Sequence, residues 1–328
     1  MKPTSITLST FILRRAAQAI PLLLGVVIVN FTIIHLAPGN PVQVLVGDFP
    51  APPEVVQTLR HDFGLDRPLW DQLIIYLGKL LSGDLGYSFG NRQAVTRLIL
   101  ERLPATVLLS GTALLFAAVA GVALGVLSSR RPNSALDYFG SVFALLGFSM
   151  PVFWLGQLLI IGVSLGLGWL PAQGMVSLRA DPSGWGRVLS IGQHLILPAA
   201  TLVMGFLAMN SRVARSSMLE VLRQDYVTVA RAKGLSERRV VYRHALRNAM
   251  IPIVTVVGFN LGFLLAGSAF VETIFAWPGI GRLLYDSMAA RDYPVIMGIF
   301  LVVCTGIVLA NLLTDLAYAY LDPRVRYD

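Results

Sequence analysis

Six long apolar stretches constrain the fold more than any other feature of the sequence. A bilayer core about 30 Å thick is crossed by roughly 20 apolar helical residues. The fourth stretch is the shortest, and we expect its helix to continue through Asn210 and Ser211 toward Arg212. The sequence therefore predicts an all-α, polytopic membrane protein with six transmembrane helices, at Ala16–Leu36, Pro104–Leu127, Tyr138–Leu165, Leu195–Met209, Ile251–Phe270 and Val295–Leu316.

The composition agrees with a chain that has little surface in water. Hydrophobic residues make up 55% of the sequence and charged residues 13%, whereas a soluble domain has about a quarter of its residues charged. The single cysteine, Cys304, excludes a disulfide framework. The net charge of +8 comes from basic residues clustered beside apolar stretches, which indicates membrane orientation and not nucleic-acid binding.

The basic residues also predict which side of the membrane each loop occupies. With the amino terminus inside, 16 of the 26 Lys and Arg residues fall in about 75 inside residues, against 10 in about 120 outside residues. Cytoplasmic loops carry such an excess, so both termini are predicted to be cytoplasmic. The adjacent Arg130 and Arg131 at the end of the second stretch support the same orientation.

This topology divides the chain into four segments. Residues 1–37 form a cytoplasmic tail and the first helix, and residues 38–103 form a periplasmic loop with short helices. Residues 104–318 form a five-helix core that includes a cytoplasmic loop at 212–250, and residues 319–328 form a second tail. In the periplasmic loop, leucines at helical spacing predict an amphipathic helix from Pro68 to Leu81, either on the membrane face or packed in a small cap.

The cytoplasmic loop at 212–250 is long, strongly basic and patterned as a helical hairpin. Small and apolar residues between Gln224 and Lys233 predict a short helix, and Gly234 suits a left-handed stop. Ser236 suits the N-cap of the next helix, with Glu237 in its first turn. Such a hairpin fits a groove on a partner protein, or its arginines bind lipid headgroups. The residue pattern alone leaves both alternatives open.

The hairpin sequence, DYVTVARAKGLSERRVVYRHALRNAMIP from Asp225 to Pro252, resembles the cytoplasmic loop of permease subunits of ATP-binding-cassette (ABC) importers. It is most similar to the dipeptide/oligopeptide/nickel permease family. Gly234 and Ala230 match the importer loop motif, while Thr228 stands where that motif has a glutamate. Further blocks resemble the family in order along the chain, namely LGYSF at 85–89, GFSMPVFWLG at 147–156, ETIFAWPGIGRLLYDSMAARDYP at 272–294 and the terminal LDPRVRYD.

The resemblance implies a type I ABC importer permease fold in a bacterial inner membrane, translocating di- or oligopeptides or similar small solutes. It implies three kinds of partner: a second homologous permease that forms a heterodimer with this chain, two ABC ATPase subunits that bind ATP and Mg, and a periplasmic solute-binding protein. This chain is then expected to bind no cofactor and no metal. ATPase coupling is expected at Asp225, Tyr226, Ala230, Arg231, Ala232, Lys233, Gly234, Leu235, Arg243 and Arg247.

No residue set in the sequence predicts an enzyme. The chain lacks a GxxxxGK[ST] phosphate loop, an HExxH zinc motif and a GxSxG elbow. ATP hydrolysis is therefore expected on other chains. The rival prediction, an ion-coupled carrier, requires titratable residues near the bilayer midplane and inverted repeats, and the sequence shows neither. The substrate itself is left open among dipeptides, oligopeptides, glutathione, nickel chelates and sugars.

Two further residue sets are candidates for the transport path. Polar side chains inside the apolar stretches either line a hydrated path or bond between helices; they are Asn210, Asn260, Gln157 and Asn311. Trp277, Pro278 and Gly279 predict a reentrant turn, which is an outer gate, a contact with the binding protein or an interfacial tryptophan anchor. Glu272, Asp315 and Asp137 are the ionisable candidates inside the apolar stretches, where such groups face a cavity or a partner. Each lies near the end of its stretch, which favours a position at the membrane interface.

Overall fold

A computed structural model describes residues 8–36, 66–88, 90–177 and 184–321, together with Glu54 and Gln57. The described residues are mostly helical. Their helices are α1 (Leu8–Leu36), α2 (Leu69–Leu81), α3 (Val95–Arg130), α4 (Ala135–Ser149), α5 (Val152–Leu159), α6 (Trp185–Leu222), α7 (Asp225–Ala232), α8 (Glu237–Arg239), α9 (Leu246–Gly267), α10 (Ala269–Ile274), α11 (Ile280–Ala289) and α12 (Tyr293–Leu321). Two π-helical segments, π1 (Ile160–Gly166) and π2 (Val240–Ala245), extend α5 and join α8 to α9.

Four helices are long and apolar enough to cross a membrane: Val95–Arg130, Trp185–Leu222, Glu237–Gly262 and Tyr293–Tyr318. The bent pair of α4 and α5, the latter extended by π1, is a fifth crossing when the pair is counted as one span. The apolar segment of α1, Ala17–Ile33, is shorter. A chain that crosses the membrane several times is thus confirmed. The count of six spans remains a prediction.

The third predicted span is broken into two helices at Pro151, a proline that the sequence places inside the apolar stretch. The chain bends by 104° between Ala135–Ser149 and Val152–Gly166. Met150 is extended, with φ of −80° and ψ of 129°, and Pro151 precedes the next helix. Proline has no N–H for a helical hydrogen bond and disfavours helical geometry in the residue before it. Apolar composition could not reveal the bend, although Pro151 marks its position.

The other predicted helices extend beyond their apolar stretches. The second begins at Val95, with Pro104 inside the helix, and the fourth runs for 38 residues through Asn210 and Ser211 to Leu222. A helix continues outside the apolar layer wherever its exposed face can be polar. Hydropathy therefore located these helices but underestimated their lengths.

The centre of the fold is the close packing of α3 against α6. A Cβ added to Gly121 would lie 2.8 Å from the Cβ of Asn210, and one added to Gly125 would lie 2.6 Å from the backbone oxygen of Ser211. Only glycine permits this approach, as is common between membrane helices. Three apolar clusters flank the contact, and each joins α3 to further helices.

The predicted amphipathic helix is confirmed as α2, and it packs on the carboxyl end of α1. The rings of Phe31 and Tyr76 stack with centroids 6.3 Å apart, and His35 Nε2 lies 3.2 Å from Gln72 Oε1. Burial raises the pKa of Tyr76 to about 12. On the other face of α2, Trp70 and Leu81 are exposed.

A two-stranded antiparallel hairpin precedes α3 and pairs β1 (Tyr87–Ser88) with β2 (Gln93–Ala94). The buried Ser88 hydroxyl donates a hydrogen bond to Asp292 Oδ2 at 2.5 Å. This bond attaches the hairpin to the residue just before α12. The first part of the predicted periplasmic loop, at 38–53, and most of the terminal LDPRVRYD block lie outside the described residues.

Candidate functional site

The basic segment 225–239 folds as a helix, a corner and a second helix, as the sequence predicts. Gly234 has φ of +73°, a conformation that favours glycine, and its N–H donates to the Arg231 oxygen at 2.9 Å. Ser236 occupies the N-cap position, but its side chain makes no capping hydrogen bond. Its backbone oxygen instead accepts from Arg239 and Val240. We call residues 225–239 the basic hairpin.

The basic hairpin has a small apolar core of its own. Val227, Ala230 and Val240 are buried together, with Leu222 and Leu235 packed against them. In addition, Asn248 Nδ2 donates to the Tyr226 hydroxyl at 2.7 Å, which ties α7 to α9. Ala230 thus faces its own chain and stabilises the hairpin.

The opposite face of α7 is exposed. Asp225, Thr228, Val229 and Ala232 are exposed and follow the i, i+3, i+4, i+7 spacing of one helix face. We call these four residues the α7 face. Thr228 and Val229 are not among the residues expected from the sequence at the coupling site, and the structure shows them on the same face as Asp225 and Ala232.

The charged side chains near the α7 face differ in their hydrogen bonds and in their exposure to solvent. Arg231 donates two hydrogen bonds to Glu237, at 2.9 and 3.2 Å, and this contact raises the pKa of Arg231. Lys233 and Gly234 are exposed at the corner, while Leu235 is half-buried. Arg243 in π2 and Arg247 in α9 are also exposed.

The four polar path candidates separate into two pairs. Asn260 Nδ2 donates to Asn210 Oδ1 at 3.1 Å, and both side chains are buried between α6 and α9. For this pair the structure shows a bond between helices. Gln157 and Asn311 are exposed on the surface of the chain, so they are available to a path or to another subunit.

The reentrant turn at Trp277 is buried instead of interfacial. Trp277 has no exposed surface, and its Nε1 donates to the Ala105 oxygen at 2.8 Å. An interfacial tryptophan anchor is therefore excluded. Pro278 and Gly279 continue the turn into α11, and a Cβ on Gly279 would overlap the carboxyl group of Glu272.

Glu272 is fully buried within the chain. Its Oε1 accepts from the Thr106 hydroxyl at 2.7 Å and from the Ser268 hydroxyl at 2.9 Å, and its Oε2 accepts from the Arg282 N–H at 3.0 Å. Thr106 also accepts from the Ile280 N–H at 2.8 Å. We call these residues the Glu272 network. It joins α10 and α11 to α3, and its buried polar groups have the partners that burial demands.

Asp137 is also buried, at the other end of the helices. Both carboxylate oxygens accept from Arg215, at 2.5 and 2.7 Å, and the Asn133 N–H donates to one of them at 2.9 Å. This paired geometry is typical of strong arginine–carboxylate contacts. The contact between Asp137 and Arg215 attaches the start of α4 to α6. Within the described residues, no group of three or more His, Cys, Asp or Glu side chains could hold a metal ion.

The sequence matches known protein families over most of its length. Residues 121–327 match the family described as binding-protein-dependent transport system inner membrane component. Residues 8–110 match the N-terminal region of the membrane component of such systems. Together these matches include every element described above except residues 111–120, which lie in the middle of α3.

Two relatives match over nearly their entire lengths. The di/tripeptide transport system permease protein DppB of Pseudomonas aeruginosa is 43% identical, with 97% of this chain and 99% of the relative covered. The oligopeptide transport system permease protein AppB of Bacillus subtilis is 39% identical, with 98% and 100% covered.

Solved structures share the fold at lower identity. An inward-facing structure of the MetNI methionine ABC transporter matches with a TM-score of 0.53 and 18% identity, covering 69% of this chain and 96% of that one. An amino acid ABC transporter structure matches with a TM-score of 0.52 and 16% identity, covering 67% and 92%. These identities are low enough that the likeness shows the fold alone.

The family matches, the near-complete coverage of permease relatives and the shared fold agree with the helical bundle and its exposed hairpin. The chain belongs to the family of binding-protein-dependent transport system inner membrane components, as a multi-pass permease subunit of an ABC importer in the bacterial inner membrane.

Proposed function

We propose that this permease moves dipeptides or short oligopeptides inward, driven by separate ATPase subunits that dock on the α7 face. The observation that carries the docking proposal is the two-sided nature of α7. Val227 and Ala230 attach the helix to its own chain, while Asp225, Thr228, Val229 and Ala232 stay exposed. Because α7 is packed against its own chain on one face, a movement of an ATPase docked on the other face is transmitted to α6 and α9.

The proposed topology has six transmembrane helices and both termini in the cytoplasm. Arg15 near the start of α1 pairs with Asp315 near the end of α12 at 3.0 Å, so these two segments lie at the same end of the bundle. α3 and α6 run parallel, since Gly121 lies beside Asn210 and Gly125 beside Ala214. α9 returns antiparallel to α6, and α12 runs antiparallel to α9 with Thr314 beside Gly258, so the basic hairpin lies at the same end as Asp315. The basic excess then assigns this end to the cytoplasm.

The peptide class rests on the relatives, whose names specify di/tripeptides, dipeptides and oligopeptides. We assign ATP and Mg to the partner ATPases, because this chain lacks a phosphate loop. A second, homologous permease completes the path as a heterodimer, and a periplasmic binding protein delivers the solute. Gln157 and Asn311, exposed on the chain, remain the candidates for lining that path.

The buried carboxylates give little support to a self-sufficient ion-coupled carrier. Asp137, Glu272 and Asp292 are each hydrogen-bonded within the chain and lie at or beside helix ends. A carrier of that type uses titratable groups at the middle of the membrane.

The docking proposal is tested by co-purification of the full chain with the ATPases encoded beside it. Val229→Asp adds a charge on the α7 face without removing an internal contact, since Val229 is exposed. We expect it to lower ATPase recovery by about tenfold or more, as central interface contacts do. Val188→Asp, also exposed but near the amino end of α6, is the matched control and should keep full recovery. Full recovery with Val229→Asp, or ATP-independent transport by this chain alone, would refute the proposal.

A further inference from the structure

An apolar groove of about 500 Å³ runs between α3 and the segment formed by π2 and α9. Its α3 side includes Val119, Val126 and Leu127, and its other side includes Leu246, Ile253 and Val257. The one hydroxyl-bearing side chain in its lining is Tyr242, at one end. Such a lining leaves the charged ends of a peptide without partners, so the groove does not suit the transported solute.

A basic surface pocket adjoins the same end of the groove. It is lined by Ser236, Arg238, Arg239, Tyr242 and Arg243, so Tyr242 belongs to both the groove and the basic pocket. The π-helical segment Val240–Ala245 connects the arginines to the groove wall. The two features are therefore one continuous surface, apolar along its length and cationic at its mouth.

The three arginines have no internal counter-charge within the part of the chain that the structure describes. The neighbouring carboxylate, Glu237, is paired with Arg231 at 2.9 Å. Like charges held together repel, and an anion between them removes that repulsion. The end of the groove is therefore positively charged, and no carboxylate of the described residues neutralises it.

We propose that this surface binds an anionic phospholipid, with an acyl chain in the groove and the phosphate on Arg238, Arg239 and Arg243. Basic pockets between transmembrane helices bind anionic headgroups in this way. The tyrosine at the junction suits the headgroup level, where amphipathic rings are enriched. The site is distinct from the α7 face, because none of its lining residues belongs to α7. Lipid there would hold the basic hairpin against the membrane surface.

The test measures lipid retention on the full-length chain by native mass spectrometry. The probes are phosphatidylglycerol and phosphatidylcholine with identical acyl chains, and inorganic phosphate as competitor. We expect the wild-type chain to retain phosphatidylglycerol preferentially. Arg238→Gln with Arg239→Gln should reduce that preference about 10- to 30-fold, because each basic residue near an anionic headgroup contributes about 1 kcal/mol. The control, Arg131→Gln with Arg223→Gln, removes the same charge from exposed positions outside the pocket and should retain the preference.

A second variant separates a lipid site from a simple anion site. Ala123→Trp fills the groove and keeps every arginine, so it should reduce phosphatidylglycerol retention as well. If Ala123→Trp has no effect, or if inorganic phosphate displaces the lipid completely, the surface binds only anions and the proposal is overturned. Loss of a partner permease with Ala123→Trp, while lipid stays bound, would overturn it in favour of a protein contact. Val229→Asp on the α7 face touches no lining residue of this site and should keep the phosphatidylglycerol preference, so failure of this proposal is distinguishable from failure of docking on the α7 face.

Discussion

The Glu272 network and the basic hairpin are stabilised by opposite means. At one end, the Glu272 network is buried, with the carboxyl group accepting three hydrogen bonds from α3 and from the start of α11 and α10. The other end lies about 30 Å away along α3. There the basic hairpin is stabilised by three buried apolar residues, and its charged side chains are exposed to solvent. The first arrangement fixes helices relative to each other. The second keeps a surface available for other molecules.

This difference indicates where the chain can move. Buried polar networks are rigid because each broken hydrogen bond leaves an unpaired group. A hairpin with a small core and exposed ion pairs opens at lower cost. We therefore expect the Glu272 end to behave as a fixed unit and the basic hairpin to respond to partners. Five substitutions test this comparison, from the largest expected effect to the smallest.

The largest effect is expected from Glu272→Ala. It removes the acceptor of the Thr106 hydroxyl, the Ser268 hydroxyl and the Arg282 backbone N–H. Because the site is buried, we expect a loss of about 3–5 kcal/mol of stability. Thermal unfolding of the purified full chain measures this change. Glu101→Ala removes an exposed carboxylate of α3 and is the control, with little expected change. Equal unfolding midpoints for the two variants would show that the network does not fix this end.

A smaller effect is expected from Asp137→Asn, which removes the negative charge facing Arg215. Asp137 is buried but the Arg215 side chain is 32% exposed, so solvent compensates part of the loss. We expect about 1–2 kcal/mol. Combining it with Arg215→Gln should cost less than the sum of the single changes, because the two residues interact. Strict additivity would contradict the pairing.

Gly234→Val tests the corner of the basic hairpin. No atom lies within 4 Å of a Cβ at this position, so the cost comes only from the backbone φ of +73°. For a β-branched residue we expect about 1–2 kcal/mol and reduced coupling of ATP hydrolysis to transport. Gly234→Asn is the matched control, since asparagine adopts this conformation more readily. Identical coupling in wild type and Gly234→Val would count against the hairpin as the coupling element.

The smallest effects concern the exposed charges of the hairpin. Arg231 and Glu237 side chains are 43% and 51% exposed, so Arg231→Gln should change stability by less than about 1 kcal/mol. Lys233→Gln should make ATPase binding less sensitive to salt. Because Arg231 is already paired with Glu237, its replacement should reduce that sensitivity less. A larger effect from Arg231 would show that it exchanges Glu237 for an acidic partner on docking.

Much of the architecture was readable from local patterns. The apolar stretches located the long helices, because the bilayer sets a length of about 20 residues. Gly234 marked the corner, since few other residues adopt a positive φ, and the spacing of leucines marked α2. Pairing between distant residues was not readable. Glu272 and Asp137 looked interfacial because each lies near the end of an apolar stretch, and their partners are 166 and 78 residues away in the chain.

The sequence by itself determined that this chain crosses the membrane repeatedly and presents a basic helical hairpin, because hydropathy, charge and glycine act through neighbouring residues. Only the tertiary structure decided which face of α7 is free, that Asn210 bonds to Asn260, that Trp277 is buried and that the chain bends by 104° after Ser149. These outcomes depend on which helices pack together, and packing between residues far apart in the sequence leaves no periodic signal in either of them.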